Sequence, residues 1–140
     1  MKDQKATIIV HSGEHDKIYS ALIIASGALA MGMETTLFFT FWGLERLKKN
    51  GIARGKLSNM NFLGIGKYIM SRKMRKSNVI PLEKLMKEFR ELGGRIVACD
   101  MTMDIMGVDK DNMDINVIDE FGSVGTYLKY AKESQLNLIV

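Results

Sequence analysis

Short β-branched runs alternate with stretches of helical period along most of this chain, and that alternation sets the fold class. Thr7–Val10 (TIIV) is four β-branched residues in a row and reads as a buried strand. It breaks at His11-Ser12-Gly13, and Asp16 is placed to cap a helix beginning near Lys17. That helix runs through IYSALIIASGALAM and stops at Gly32. It is apolar on nearly every face, so burial is expected all round. Thr35–Phe41 (TTLFFTF) is a second strand, followed by Trp42-Gly43 and a short helix, LERLKKN, up to Gly51. Residues 51–78 show no firm period. Pro81 then opens an amphipathic helix with Leu82, Leu85, Met86, Phe89 and Leu92 on one face, closed by Gly93-Gly94. Arg95–Ala98 (RIVA) is a third strand running into Cys99, and a short helix is expected over 101–107. A fourth strand is expected at 115–118 (INVI), a last helix over Gly122–Ser134, and a fifth strand at Leu136–Val140.

Strands that alternate with helices imply parallel βαβ units, hence an α/β fold: a three-layer α/β/α sandwich with a parallel five-stranded sheet. No repeat or low-complexity tract divides the chain, so residues 1–140 read as one domain with an insertion at about 51–78. In a parallel sheet the carboxyl ends of all strands meet at one edge, where ligands bind. His11-Ser12-Gly13, Thr40-Phe41-Trp42-Gly43 and Cys99-Asp100 are thereby brought together.

Charge changes the picture of the insertion. Residues 51–78 hold Arg54, Lys56, Lys67, Arg72, Lys73, Arg75 and Lys76 and no acid, whereas the whole chain carries only +4. The basicity is local, and the rest of the molecule is net acidic. Cations without internal partners repel one another unless something anionic is near. A solvated face is the ordinary reading. A lid or docking arm over the strand-end edge, attracting an anionic ligand or an acidic partner, is the functional one. Aromatics are sparse here and no nucleic-acid motif appears, so nucleic acid is not expected. A membrane surface is not favoured, because Gly64 and Gly66 break the helical moment.

The single cysteine, Cys99, rules out an intrachain disulfide and a cysteine-rich zinc site. Together with an N-terminus that lacks a signal-like apolar core and the lack of any long apolar run, it suits a reducing cytoplasm. A helix starting just after Cys99 would stabilise an anion there, and the thiolate is the nucleophile. Asp100 opposes this unless its carboxylate turns to cap the helix. The expected thiol is accessible at a pocket edge, so that Cys99→Ser should barely alter stability. The alternative is a structural cysteine, since free cysteine is among the most buried residue types. Met101, Met103 and Met106 read as core or pocket lining. No metal site or cofactor is called for, and GxGxxG, GxxxxGK and GxSxG are all absent. Candidate substrate contacts at the shared edge are His11, Ser12, Gly13, Thr40, Trp42, Asp100 and Met101.

HSGEHDK, METTLFFTFWGL and ACDMTMDIMGV, with GTYLKYAKES near the end, resemble the DsrE/DsrF/DsrH-like sulfur-relay family, in its peroxiredoxin-like or oxidoreductase branch. The resemblance covers nearly the whole chain. It implies a parallel five-stranded α/β/α sheet and a sulfur-carrying cysteine after the third strand, here Cys99. It also implies homo- or hetero-oligomers that work beside TusA-like sulfur carriers and heterodisulfide-reductase-like proteins. A lone thiol can hold a sulfane sulfur as a persulfide or thiosulfonate and pass it to another protein's thiol. A two-cysteine peroxidase cycle within one chain is impossible. A thiol-dependent oxidoreductase fed by another protein, and a non-catalytic binding module, stand as the alternatives.

Overall fold

The computed structural model describes residues 4–57 and 62–140. Strand β1 (Lys5–Val10) leads through Glu14 to helix α1 (His15–Ala30), and β2 (Glu34–Phe39) follows. A single turn, α2 (Phe41–Leu44), continues into a 3-10 turn over Glu45–Leu47. Helices α3 (Ile65–Lys76) and α4 (Leu82–Glu91) precede β3 (Arg95–Cys99), which passes directly into α5 (Asp100–Met106). The chain ends with β4 (Glu120–Gly122), α6 (Val124–Ala131) and β5 (Leu136–Ile139).

The five strands are all parallel in the order β4-β3-β2-β1-β5. The first three crossovers step in one direction across the sheet. Right-handed connections therefore lay α1 and α4 on the same face. Ile8, Val10, Leu37, Phe39, Ile96 and Ala98 point to that face and form one core with Ile18, Leu22, Leu82 and Phe89. The last crossover runs back to the far edge and places α6 on the opposite face, alone among the described helices. Its tyrosines, Tyr127 and Tyr130, rest on Phe38, Val97 and Cys99. A helix of eight residues against five strands is thin cover, and α6 has no buried residue of its own.

Several expectations need correction. Helix α1 starts at His15 rather than Lys17, with Glu14 and not Asp16 at the cap position. Nor is it buried all round. Its buried side is Ile18, Tyr19, Ala21, Leu22, Ala25 and Ala28, while Ile23 and Ile24 are exposed. The expected LERLKKN helix is a single 3-10 turn.

The INVI segment is not a strand. Asp114 Oδ1 accepts the Asn116 N–H at 3.2 Å and Val117 N–H donates back to Asp114 O at 3.1 Å, a local turn that outcompetes the ladder. The fourth strand is the later EFG, with Val97 opposite Glu120 and Cys99 opposite Gly122. Within the basic insertion, residues 65–76 are helical. Residues 51–57 are fastened down: Gly51 and Leu57 are buried, and Lys67 Nζ donates to Ala53 O at 2.9 Å. The insertion's positions 58–61 lie outside the described residues.

Candidate functional site

Strand alternation decides where the thiol goes. Ile96 and Ala98 face α1 and α4, so Val97 and Cys99 must face α6. Cys99 is only 3% exposed, packed with Phe38 and Val97 under Tyr127 and Tyr130. This corrects the expectation of an accessible pocket-edge thiol. The cause is the position of α6, which follows from a strand order that the sequence does not state. Gly122, the partner of Cys99 on β4, lets the helix come this close, since a Cβ there would lie 2.7 Å from the Thr126 side chain. Tyr130 pins the cover by donating its hydroxyl to Glu120 Oε2 at 2.8 Å. Burial, then that bond, raises the Tyr130 pKa above the ordinary phenol value. Cys99→Ser would bury a hydroxyl among apolar groups, costing about 1–3 kcal/mol rather than nothing.

Cys99 is the residue before α5. The exposed Asp100 accepts the Met101 N–H through Oδ1 at 2.7 Å, so its carboxylate does turn to the free backbone at the helix start. Met101 itself is half-exposed.

Thr40 makes a contact within the fold. Its Oγ1 lies 2.9 Å from Thr102 Oγ1, which also accepts the Phe41 N–H at 3.2 Å. Thr102 is fully buried and ties the ends of β2 and β3 together. A threonine on the inner face of a seven-residue helix carries no sequence signal of that task. Phe41 sits at φ 45°, a backbone conformation that costs a bulky residue free energy, and its ring lies 5.2 Å from that of His11. His11 is therefore an exposed ring stacked on Phe41, its backbone N–H donating to Val140 O at 2.8 Å.

Ser12, Gly13 and Trp42 do come together, at a cleft of about 360 Å³ whose other walls are Glu14, Glu45, Arg46, Arg54 and Lys56. Cys99 is not among its lining residues. The strand-end edge thus divides into two places, a buried thiol under α6 and a charged cleft on the α1 side. Gly13 and Gly55 build the cleft from backbone. A Cβ on Gly13 would fall 2.3 Å from Trp42 O, and one on Gly55 would fall 2.8 Å from Gly13 O. His15 N–H donates to Lys56 O at 2.7 Å, fixing the 54–56 segment against the start of α1.

Burial lowers the pKa of Arg46, and the charge of Arg54 adds in the same direction while Glu45 opposes it. Lys67 is lowered by burial and then by Arg46, and His15 by burial and then by Lys67. In the sequence, Arg54, Lys56 and Lys67 stand out only as parts of a charge run, and Arg46 lies in a segment that reads as an ordinary helix. A larger cavity of about 450 Å³ lies between the 46–53 segment and α4 and shares Arg46 with the cleft; its Lys87 and Arg90 are offset by Glu83 and Glu91. Among the described residues no cluster of three or more His, Cys, Asp or Glu side chains could hold a metal, and no helix is long and apolar enough to cross a membrane.

Comparison with known proteins agrees with this architecture. The chain is 35% identical, over a 157-residue alignment covering 98% of it and 97% of the relative, to the uncharacterised protein YrkE of Bacillus subtilis. It is 29% identical over 161 aligned positions, the full length of both chains, to the sulfur carrier protein DsrE2 of Allochromatium vinosum. The solved structure of MTH1491 from Methanobacterium thermoautotrophicum, a protein of unknown function, superposes with a TM-score of 0.60 at 12% identity over 99% of this chain and 100% of that one. That likeness bears on the fold alone. The DsrE/DsrF/DrsH-like family matches residues 2–56 and 50–139, which together span nearly the whole sequence, and the chain belongs to this family.

Proposed function

We propose that the protein is a sulfur carrier in which Cys99 holds a sulfane sulfur and passes it to a thiol on a partner protein. The observation that carries this reading is the position of the chain's one thiol: at the carboxyl end of a parallel strand, enclosed by Phe38, Val97 and the α6 tyrosines. Membership of the family and likeness to a named sulfur carrier support it. A persulfide held there is shielded from bulk water.

Loading is thiol exchange. The Cys99 thiolate attacks the outer sulfur of a donor persulfide, forming Cys99–S–S⁻ and releasing the donor thiolate. Transfer is the same step in reverse on an acceptor thiolate, which takes the outer sulfur and frees the Cys99 thiolate. No net oxidation occurs, and no second cysteine is needed. Ser12, Gly13 and Trp42 serve the neighbouring edge of the molecule rather than the reacting sulfur. We place the protein in a reducing cytoplasm, as a homo-oligomer that docks a TusA-like carrier and heterodisulfide-reductase-like proteins. Exposed Phe41, Trp42, Met101 and Ile105, all near the carboxyl ends of β2 and β3, supply apolar surface for such contacts.

The burial of Cys99 favours one competing reading, a purely structural cysteine in a binding module. Intact-mass spectrometry after incubation with thiosulfate, tetrathionate or polysulfide separates the two. Sulfur carriage requires a mass gain of one sulfur for the persulfide, or of a thiosulfonate group, that dithiothreitol reverses and Cys99→Ala abolishes. An unmodified wild-type chain under all three donors refutes it.

A further inference from the structure

We propose that the cleft between Gly13, Trp42 and the 54–56 segment is a binding site for a small, doubly charged tetrahedral oxyanion, separate from Cys99. Arg46, Arg54 and Lys56 converge on it. The two acids in its walls are committed elsewhere. Glu14 is held by Lys17 at 2.8 Å and by the Ser12 hydroxyl at 3.0 Å, and Glu45 by Lys48 at 2.8 Å. Arg54 and Lys56 form no ion pair with a carboxylate among the described residues.

Like charges gathered without partners raise the free energy of the empty site, and an anion relieves that. The gathering is enforced by backbone. The Gly55–Gly13 approach and the His15 N–H···O Lys56 bond hold the two cations beside the start of α1, where flexible side chains would otherwise spread apart. Arg46 adds a buried Nε with no hydrogen-bond partner among the described residues, while its NH1 donates to Gly51 O at 3.3 Å. A buried N–H left over in this way is a donor awaiting an acceptor. Guanidinium forks beside an ammonium suit sulfate-like or phosphate-like oxygens, which accept several charge-assisted bonds at once.

Trp42, the chain's single tryptophan, lines the cleft and is 62% exposed, so its fluorescence reports on occupancy. The test is a titration of the full chain with sodium sulfate, thiosulfate and phosphate at constant ionic strength set by sodium chloride, with calorimetry in parallel. Saturable binding of at least one of these anions is expected. A preference for thiosulfate and sulfate would assign the site to sulfur oxyanions, and a preference for phosphate to phosphorylated ligands. The double variant Arg54→Gln/Lys56→Gln should bind roughly a hundredfold more weakly, about tenfold for each charge-assisted bond removed. The single variants guard against a folding defect, since both side chains are exposed. Cys99→Ala should bind as wild type does, which keeps this site distinguishable from the sulfur-carrier reading. No saturable signal by either method, or unaltered affinity in the double variant, overturns the proposal.

Discussion

If Cys99 is covered only by α6, its reactivity is governed by how often that helix lifts. Tyr127→Ala is the perturbation. Its ring packs 5.5 Å, centroid to centroid, from Phe38, inclined by 46°. An aromatic pair contributes about 0.5–1.5 kcal/mol beyond area burial, and truncating a partly buried ring loses roughly another 1 kcal/mol. Docking of α6 should weaken by about 2 kcal/mol, which multiplies the opening constant by about thirty. Where reclosing outpaces alkylation, the rate of iodoacetamide labelling scales with that constant. Labelling of Cys99 should therefore quicken about thirtyfold, with little dependence on low urea. Leu85→Ala, on the opposite face of the sheet, is the control. It costs a comparable or larger amount, about 2–5 kcal/mol, of global stability without touching α6. Equal acceleration by Leu85→Ala would mean that Cys99 is reached only through global unfolding. A wild-type chain that reacts as fast as a free peptide thiol would mean that α6 does not cover it at all.

Asp119 closes the β3 end of the sheet: its Oδ2 accepts the Ile96 N–H at 2.8 Å, and its Oδ1 meets Arg90 at 3.1 Å. Asp119→Ala should lower the urea-unfolding free energy by about 1–3 kcal/mol, and a loss below a few tenths would show these bonds to be idle. Burial lowers the His15 pKa in the fold, so the unfolded chain binds its proton first as pH drops. Stability should be undiminished above about pH 6.5 and decline as pH falls below it, and His15→Gln should flatten that slope in chemical-denaturation curves. Replacing Arg72, Lys73, Arg75 and Lys76, all exposed at the end of α3, with Gln should slow sulfur loading or transfer, with a deficit that shrinks as salt rises. Unchanged low-salt rates would remove α3 from the mechanism.

Most of the sheet could be read in advance because β1, β2, β3 and β5 are runs of branched or aromatic residues bounded by glycine or polar breaks. β4 could not. Three residues, EFG, carry no period, and the better-looking INVI is claimed by the Asp114 turn. α3 was hidden for a different reason: Gly66 is its buried contact and its other faces mix Ile and Tyr with cations, so no apolar stripe forms. Strand alternation puts Val97 and Cys99 on one face, but which helix covers it depends on β5 pairing with β1. Arg46 carried no signal because its side-chain bond to Gly51 O is local and motif-free, and the Gly13–Gly55 approach was invisible because it joins distant positions by backbone contact.

The placement of β5 has a consequence for how the cleft comes into being. Lys5 N–H bonds to the Gln135 side chain at a separation of 130 residues, and Val140 O receives the N–H groups of both His11 and Ser12. Pairings of such span form late, after the local βαβ units have closed. The loop that carries Ser12 and Gly13 is thus aimed by the chain's last strand, so the geometry of the cationic cleft depends on β5 pairing with β1. Substitutions at Leu136 or Leu138, remote from every charge in it, would slow its assembly.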